Sequence, residues 1–162
     1  MATTGRTDLK LQTFLPYVLN NLAERVSAGL SGIYVDEYQL SIPEWRVVAN
    51  LAEHSTLNAR QIVAFTTMEK SKVSRAVSNL SERGLITQRR AEGDNRAKDL
   101  TLTDEGLALY RSIVPRVLDW ERELLAEMSP GEYRDLMHLL QKLGNRLQLL
   151  DLPKTGSAGQ VS

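Results

Sequence analysis

The sequence contains no cysteine. That single absence excludes disulfide scaffolds, thiolate metal sites, iron–sulfur clusters, cysteine nucleophiles and thiol-based redox sensing. Histidine is scarce: His54 and His138 are the only two, far apart in the chain. A multi-histidine metal site within one chain is therefore not expected, and neither a metal nor a cofactor is assigned. Charge of one sign is not in excess, because 20 basic residues balance 20 acidic ones. Any nucleic-acid surface must then be a local concentration of charge. No run approaches the roughly 18 apolar residues of a membrane span. The polar first residues, with Arg6, are not followed by the apolar core of about 7 to 15 residues that a secretory leader carries, so a cytoplasmic location without a membrane partner is the expectation. Also missing are a Gly-x-Ser-x-Gly elbow, a phosphate-cradling Gly-rich loop and a His-Glu-x-x-His helix, so enzyme chemistry is not expected.

What is present is an ordinary globular composition, 42% apolar and 25% charged over 162 residues, enough for one domain with extensions. Between residues 11 and 30, Leu11, Leu15, Val18, Leu22, Val26 and Leu30 recur at helical spacing. They predict one long amphipathic helix with Pro16 inside it as a source of a kink. Residues 31–40 break the pattern. Ser41-Ile42-Pro43-Glu44 reads as a capping box with proline in the first turn, opening a helix over residues 42–54. A short helix over 58–65 follows, and Thr67 is expected to cap another that ends at Glu82 or Arg83. In that helix Val73, Ala76, Val77 and Leu80 make the buried stripe and leave Lys72, Arg75, Asn79 and Arg83 on another face. A short helix, a tight turn and a basic second helix make a helix-turn-helix candidate, closed by Gly84 as a C-terminal glycine.

The period then changes. Leu85-Ile86-Thr87 leading into Gln88-Arg89-Arg90, and Leu100-Thr101-Leu102, read as strands joined by the turn chemistry of Glu92-Gly93-Asp94-Asn95. Thr103-Asp104-Glu105 opens a helix to about residue 127 with Pro115 inside. Ser129-Pro130-Gly131-Glu132 is a second capping box, and Leu136, Leu140, Leu143, Leu147 and Leu150 line the last helix. The tail, residues 151–162, holds two Gly, two Ser and Lys154 and is expected to fray. It holds Leu152-Pro153-Lys154-Thr155-Gly156, which resembles a sortase signal but lacks the following hydrophobic segment and the leader such a signal needs. We read it as an accidental match.

Charge is unevenly spread. Residues 69–98 hold eight basic residues and four acids, a local excess of +4 on the helix and hairpin best suited to DNA. An α-helix fits the roughly 12 Å major groove, while Ser71, Ser74 and Ser78 allow close approach and can donate to phosphates. A mixed helix face is otherwise usually just solvated.

The run from Leu40 to Leu107 resembles the MarR family of winged helix-turn-helix regulators. The resemblance is carried by Ile42-Pro43-Glu44-Trp45-Arg46-Val47-Val48, Glu69-Lys70-Ser71-Lys72-Val73-Ser74-Arg75, Ser81-Glu82-Arg83-Gly84-Leu85-Ile86 and Leu102-Thr103-Asp104-Glu105-Gly106. It implies a mainly α fold with a small β-hairpin wing. Residues 1–34 would be an N-terminal arm and dimerisation helix, 35–106 the winged helix-turn-helix DNA-binding domain, 107–150 the C-terminal dimerisation helices and 151–162 a flexible tail. The implied function is that of a transcriptional regulator, a repressor, found in the cytoplasm with the nucleoid, which binds a palindromic operator in double-stranded DNA as a homodimer and is released by a small anionic or aromatic effector. The apolar stripes agree with pairing, since a monomer of this length has no third layer to bury them; an intramolecular helical hairpin is the alternative. A two-fold dimer would meet half-sites about one DNA turn apart, an inverted repeat.

Residue by residue, the resemblance carries over as follows. Lys70, Ser71 and Ser74 fall early on the recognition helix, Lys72, Arg75 and Asn79 on its exposed rows, with Arg75 suited to a bidentate guanine contact and Lys72 to phosphate. Glu69 is expected to serve the helix dipole. Arg89, Arg90 and Lys98 belong to the wing. The family's Asp-x-Arg wing motif is matched by Asp94-Asn95-Arg96, the arginine entering a narrow minor groove and the aspartate holding it; Asn95 departs from the arginine common at the middle position and lowers the wing's charge. For the effector, an aromatic carboxylate or acyl thioester, the resemblance points to a cleft near Tyr17, Tyr34, Tyr38, Trp45 and Arg46, although aromatic residues at helix starts are more often core and Arg46 can instead pair with a nearby acid. His54 reads as a helix-dipole partner. A winged-helix module used for protein pairing rather than DNA is the competing class.

Overall fold

The computed structural model describes residues 8–91 and 94–151, with side chains described outside 91–97 and 151. Residues 1–7, the tail from residue 152, and Glu92 and Gly93 of the expected hairpin turn lie outside it. The first compact unit ends at Trp120 and the second begins at Glu121.

Helix α1, Leu15–Val35, follows a 3-10 turn at Leu11–Thr13. The long helix expected from residue 11 is thus broken before Pro16, which sits in the first turn of α1 rather than inside a kinked helix. Proline has no N–H and a fixed φ, so it is tolerated in the first turn of a helix, where that N–H would have no partner, and the N-cap Phe14 ahead of that turn is extended at φ −82° and ψ 107°. At its other end α1 runs on to Val35, into the stretch read as irregular.

Helix α2, Ile42–His54, opens with the expected capping box. The Ser41 N–H and Oγ donate to Glu44 Oε2 at 2.7 and 2.8 Å, and the Glu44 N–H donates to Ser41 Oγ at 3.4 Å. Strand β1, Leu57–Asn58, was not foreseen; it pairs antiparallel with β3, Asp94–Leu102. Two residues are too few to show an alternating pattern in sequence. Strand β2, Ile86–Ala91, completes a three-stranded antiparallel sheet in the order β1-β3-β2. The hairpin strands are those expected, but β3 begins at Asp94, six residues earlier than the apolar run at Leu100 signalled.

Helix α3 is Ala59–Thr66, and Asn58 and Gln61 form a further capping box at its start. Helix α4 is Lys70–Glu82. Thr67 does not cap α4: it takes a left-handed conformation at φ 54° and closes α3, its N–H donating to Val63 O at 3.0 Å. Glu69 is the extended residue before α4 and makes no side-chain cap bond. The exit from α4 is a Schellman turn, with Gly84 at φ 69°, its N–H on Ser81 O at 3.0 Å and the Leu85 N–H on Leu80 O at 2.9 Å.

Helix α5, Asp104–Leu124, ends three residues before the expected limit and holds Pro115 inside. Its start is tied to the α4 exit. Thr103 Oγ1 donates to Gly84 O at 2.7 Å and accepts from the Gly106 N–H at 3.0 Å, while the Thr103 N–H donates to Leu85 O at 3.0 Å. The core of the first unit is drawn from its α-helices and the sheet: Tyr34, Leu40, Val47, Ile62, Val73, Leu80, Leu100 and Ile113 are at most 2% exposed. In the second unit, α6 is Pro130–Asp151, opened by the capping box of Ser129 and Glu132.

One buried charge joins two helices of this core. Glu44 is 6% exposed. Burial alone would raise its pKa, but hydrogen bonds from Ser41 and the Asn79 side chain, with the nearby Arg83 charge, outweigh that and hold it below the ordinary carboxylate value. A depressed folded-state pKa contributes stability that is fully present above the unfolded value of about 4.3 and is lost as pH falls through the folded one. Urea melts of Glu44→Gln are therefore expected to show a deficit at pH 7 that narrows below about pH 4. An equal deficit at both values would assign the effect to packing instead.

Candidate nucleic-acid interface

In α4 the buried residues Val73, Ala76, Val77 and Leu80 follow the helical period and dock the helix against α2 and α3. The same period sets the outer surface. Ser71, Arg75 and Ser78 fall at the centre of the face opposite the core, Lys70 and Ser74 on one flank and Lys72 and Asn79 on the other. All seven are exposed. Met68, buried in the turn, fixes the approach of α3 to α4.

Two residues assigned to the basic outer face have structural partners as well. The Asn79 side chain hydrogen-bonds to Glu44. Arg83 is tied to the chain ahead of α2, its two terminal nitrogens donating to Gln39 O at 2.9 Å and Tyr38 O at 3.1 Å. Helical spacing alone puts both on the surface; only the left-handed turn at Gln39, φ 53°, brings those carbonyls within reach. The same segment holds α5, through an ion pair between Glu37 and Arg116 and the Tyr38 hydroxyl donating to Ser112 O at 3.4 Å.

The wing lies beside α4. Gln88 Nε2 donates to Ser81 Oγ at 2.7 Å and anchors its base. Arg89 and Arg90 on β2 and Lys98 on β3 are exposed. The register sets Arg89 opposite Asp99, an attractive pair, but Arg90 opposite Lys98. Like charges directly opposite in an antiparallel ladder are unfavourable by a few tenths of a kcal/mol or more, a cost that a polyanion on this face would relieve. Asp94 and Arg96 belong to β3 by backbone; their side chains lie outside the described residues.

The residues nominated for an effector are not one open cluster. Tyr34 and Trp45 are buried, 1% and 8% exposed, and stack with ring centroids 5.3 Å apart, Trp45 also stacking on Tyr110 at 5.9 Å. Burial raises the Tyr34 pKa, and the neighbouring Arg46 charge opposes that rise. Tyr38 is half-buried, and Tyr17 and Arg46 are exposed. Arg46 makes no ion pair among the described residues. His54 ends α2 but stacks on Phe65 with centroids 4.8 Å apart, a partner on another helix that spacing could not reveal.

The sequence profile of the MarR family matches residues 38–97, the span from the end of α1 to the wing. The chain is 27% identical over 146 residues to the HTH-type transcriptional regulator PecS of Dickeya dadantii (strain 3937), covering 88% of this chain and 87% of that protein. It is 25% identical over 117 residues to the homoprotocatechuate degradative operon repressor of Escherichia coli, with 70% and 79% covered. The crystal structure of a MarR/EmrR family transcriptional regulator from Acinetobacter sp. ADP1 superposes with a TM-score of 0.80 at 26% identity, covering 87% of this chain and 99% of that one. The helices and the small antiparallel sheet are those of that winged-helix fold. Residues 38–97 thus match the MarR family, and over most of its length the chain is similar to HTH-type and MarR-family transcriptional regulators.

Proposed function

We propose that two copies of the chain bind an inverted repeat in double-stranded DNA, each with α4 in a major groove and the wing at an adjacent minor groove, and that the regulator is a cytoplasmic repressor released by a small effector. The observation that carries this reading is the outer face of α4: Lys70, Lys72 and Arg75 are exposed on a helix whose opposite face is wholly used by the core. Lys70, Ser71 and Lys72 serve the backbone, Ser74 and Arg75 the base edges, Asn79 the edge of the contact. Arg89, Arg90, Asp94, Arg96 and Lys98 make the wing's share.

Pairing is supported by apolar side chains that stand exposed on α1 and on α6, each taken by itself, among the described residues. In α1, Leu15, Val18 and Leu22 are exposed, as are Leu136, Leu140, Leu143 and Leu147 in α6, between 38% and 59%. With Tyr133 and Leu150 the α6 positions alternate spacings of three and four, the seam of a coiled-coil packing. On this reading residues 1–34 and 107–150 pair the copies and 35–106 bind DNA. Repression is supported by the relative from Escherichia coli, which is named a repressor. For the effector, an aromatic carboxylate or acyl thioester, Arg46 supplies a cation beside the Tyr34–Trp45–Tyr110 stack, with Tyr17 and Tyr38 as the remaining aromatic surface.

Titrating a labelled duplex at several salt concentrations tests the reading. If a dimer neutralises about eight phosphates, log affinity falls against log salt with a slope near −7. A flat response, or a monomer at micromolar concentration in sedimentation equilibrium, would contradict it.

A further inference from the structure

A cleft of about 500 Å³ opens between α3, the Lys70–Ser74 flank of α4 and the base of the wing. Its floor is apolar, from Val63, Val77 and Leu100, its rim carries Arg60, Lys70 and Lys98 from three separate elements, and no acid stands among the described lining residues. In a chain whose charges cancel overall, three cations converging without a counter-charge among the described residues form a local positive well. None of the three makes a salt bridge among the described residues, and all three are exposed. The neighbouring polar group Asn58 is already engaged, its Oδ1 accepting from the Gln61 N–H at 2.9 Å. The well is left to the cations.

The position of the cleft determines what passes through it. If α4 lies in a major groove and the wing at the adjacent minor groove, the sugar–phosphate strand that separates the two grooves must run between those elements, and this cleft is the space between them. We infer that the α3–α4–wing cleft is a seat for a backbone phosphodiester, with Arg60 as its positioning residue and Lys70 and Lys98 as flanking charges. The seat rests on the reading of α4 and the wing given above. Arg60 suits the role because its planar guanidinium presents paired donors to phosphate oxygens, where lysine offers a point charge. It carries no sequence information, since phosphate contacts set register and orientation while base edges specify.

The test is the salt dependence of binding to a random-sequence duplex of 30 base pairs, where phosphate contacts supply essentially all of the affinity. Removing one phosphate contact from each of two copies lowers the slope by about two, so the advantage of wild type over Arg60→Ala shrinks about tenfold between 50 and 200 mM salt. Arg60→Gln is expected to behave as Arg60→Ala, and Arg60→Lys to keep the slope. Thermal melts of all three should match wild type, because the side chain is exposed and takes part in no cap. A steep wild-type slope left unchanged in both Arg60→Ala and Arg60→Gln overturns the seat while leaving the reading of α4 intact. A flat wild-type slope overturns both.

Discussion

Arg75→Ala is expected to weaken binding to the preferred duplex by about a thousandfold while leaving binding to random DNA and thermal stability nearly unchanged. Arg75 stands at the centre of the outer face of α4, exposed and without a salt bridge among the described residues, so truncating it removes no packing. A bidentate arginine–guanine contact discriminates by about 1–3 kcal/mol. Two copies in a dimer double that, and about 4 kcal/mol corresponds to three decades of affinity. Lys72→Ala offers the contrast: a phosphate contact should weaken all sequences uniformly. Competition titrations with preferred and random duplexes separate the two. If Arg75→Ala leaves the preference for its duplex intact, base reading belongs elsewhere. If neither Arg75→Ala nor a matching Arg96→Ala changes duplex binding at all, a protein-pairing role for the winged helix is favoured instead.

Gly106→Ala is expected to destabilise the first unit by about 3 kcal/mol, the upper part of the range for overpacked sites, and to lower Tm by roughly 6–12 °C for a protein of this size. A Cβ at Gly106 would lie 2.0 Å from Leu85 O and 3.0 Å from Leu85 C. Both are backbone atoms, and they cannot swing aside as a side chain can. The same carbonyl accepts the Thr103 N–H, and Thr103 Oγ1 binds the Gly84 carbonyl. Any shift that relieves the clash therefore loosens the joint between the end of α4 and the start of α5. The ordinary helix preference for alanine over glycine, about 1 kcal/mol, acts in the opposite direction and is too small to offset it. Calorimetric or fluorescence melts measure the change, and a variant as stable as wild type would show that this joint yields.

Short-range signals carried much of the fold, and the exceptions have physical causes. Ser41 with Glu44, Ser129 with Glu132, the Val73–Ala76–Val77–Leu80 stripe and Gly84 are local devices, so their spacing announces α2, α6, α4 and its exit. The errors arise where the decisive contact is distant. Thr67 looks like an N-cap by type but closes α3 in a left-handed turn; β1 exists only because Leu57 and Asn58 meet Leu100 and Asp99. In the candidate site, the charged face of α4 was legible because helical period separates it from the core. The partners of Asn79 and Arg83 were not, since Glu44 and the carbonyls of Tyr38 and Gln39 come from 35 to 45 residues earlier. Tyr34 and Trp45 share composition with a ligand cleft and with a core alike, and only their stacking distinguishes the two. Arg60 escaped notice because it is one cation on a short helix. Its meaning comes from Lys70 and Lys98, which the fold brings alongside.

Enrichment of bound duplexes from a random pool by the purified full-length chain bears most directly on two-fold DNA recognition. The expected product is an inverted repeat whose half-sites have centres about one helical turn apart, with the strongest preference at the bases nearest Arg75. Recovery of no enriched sequence, or of a single asymmetric half-site, would contradict it.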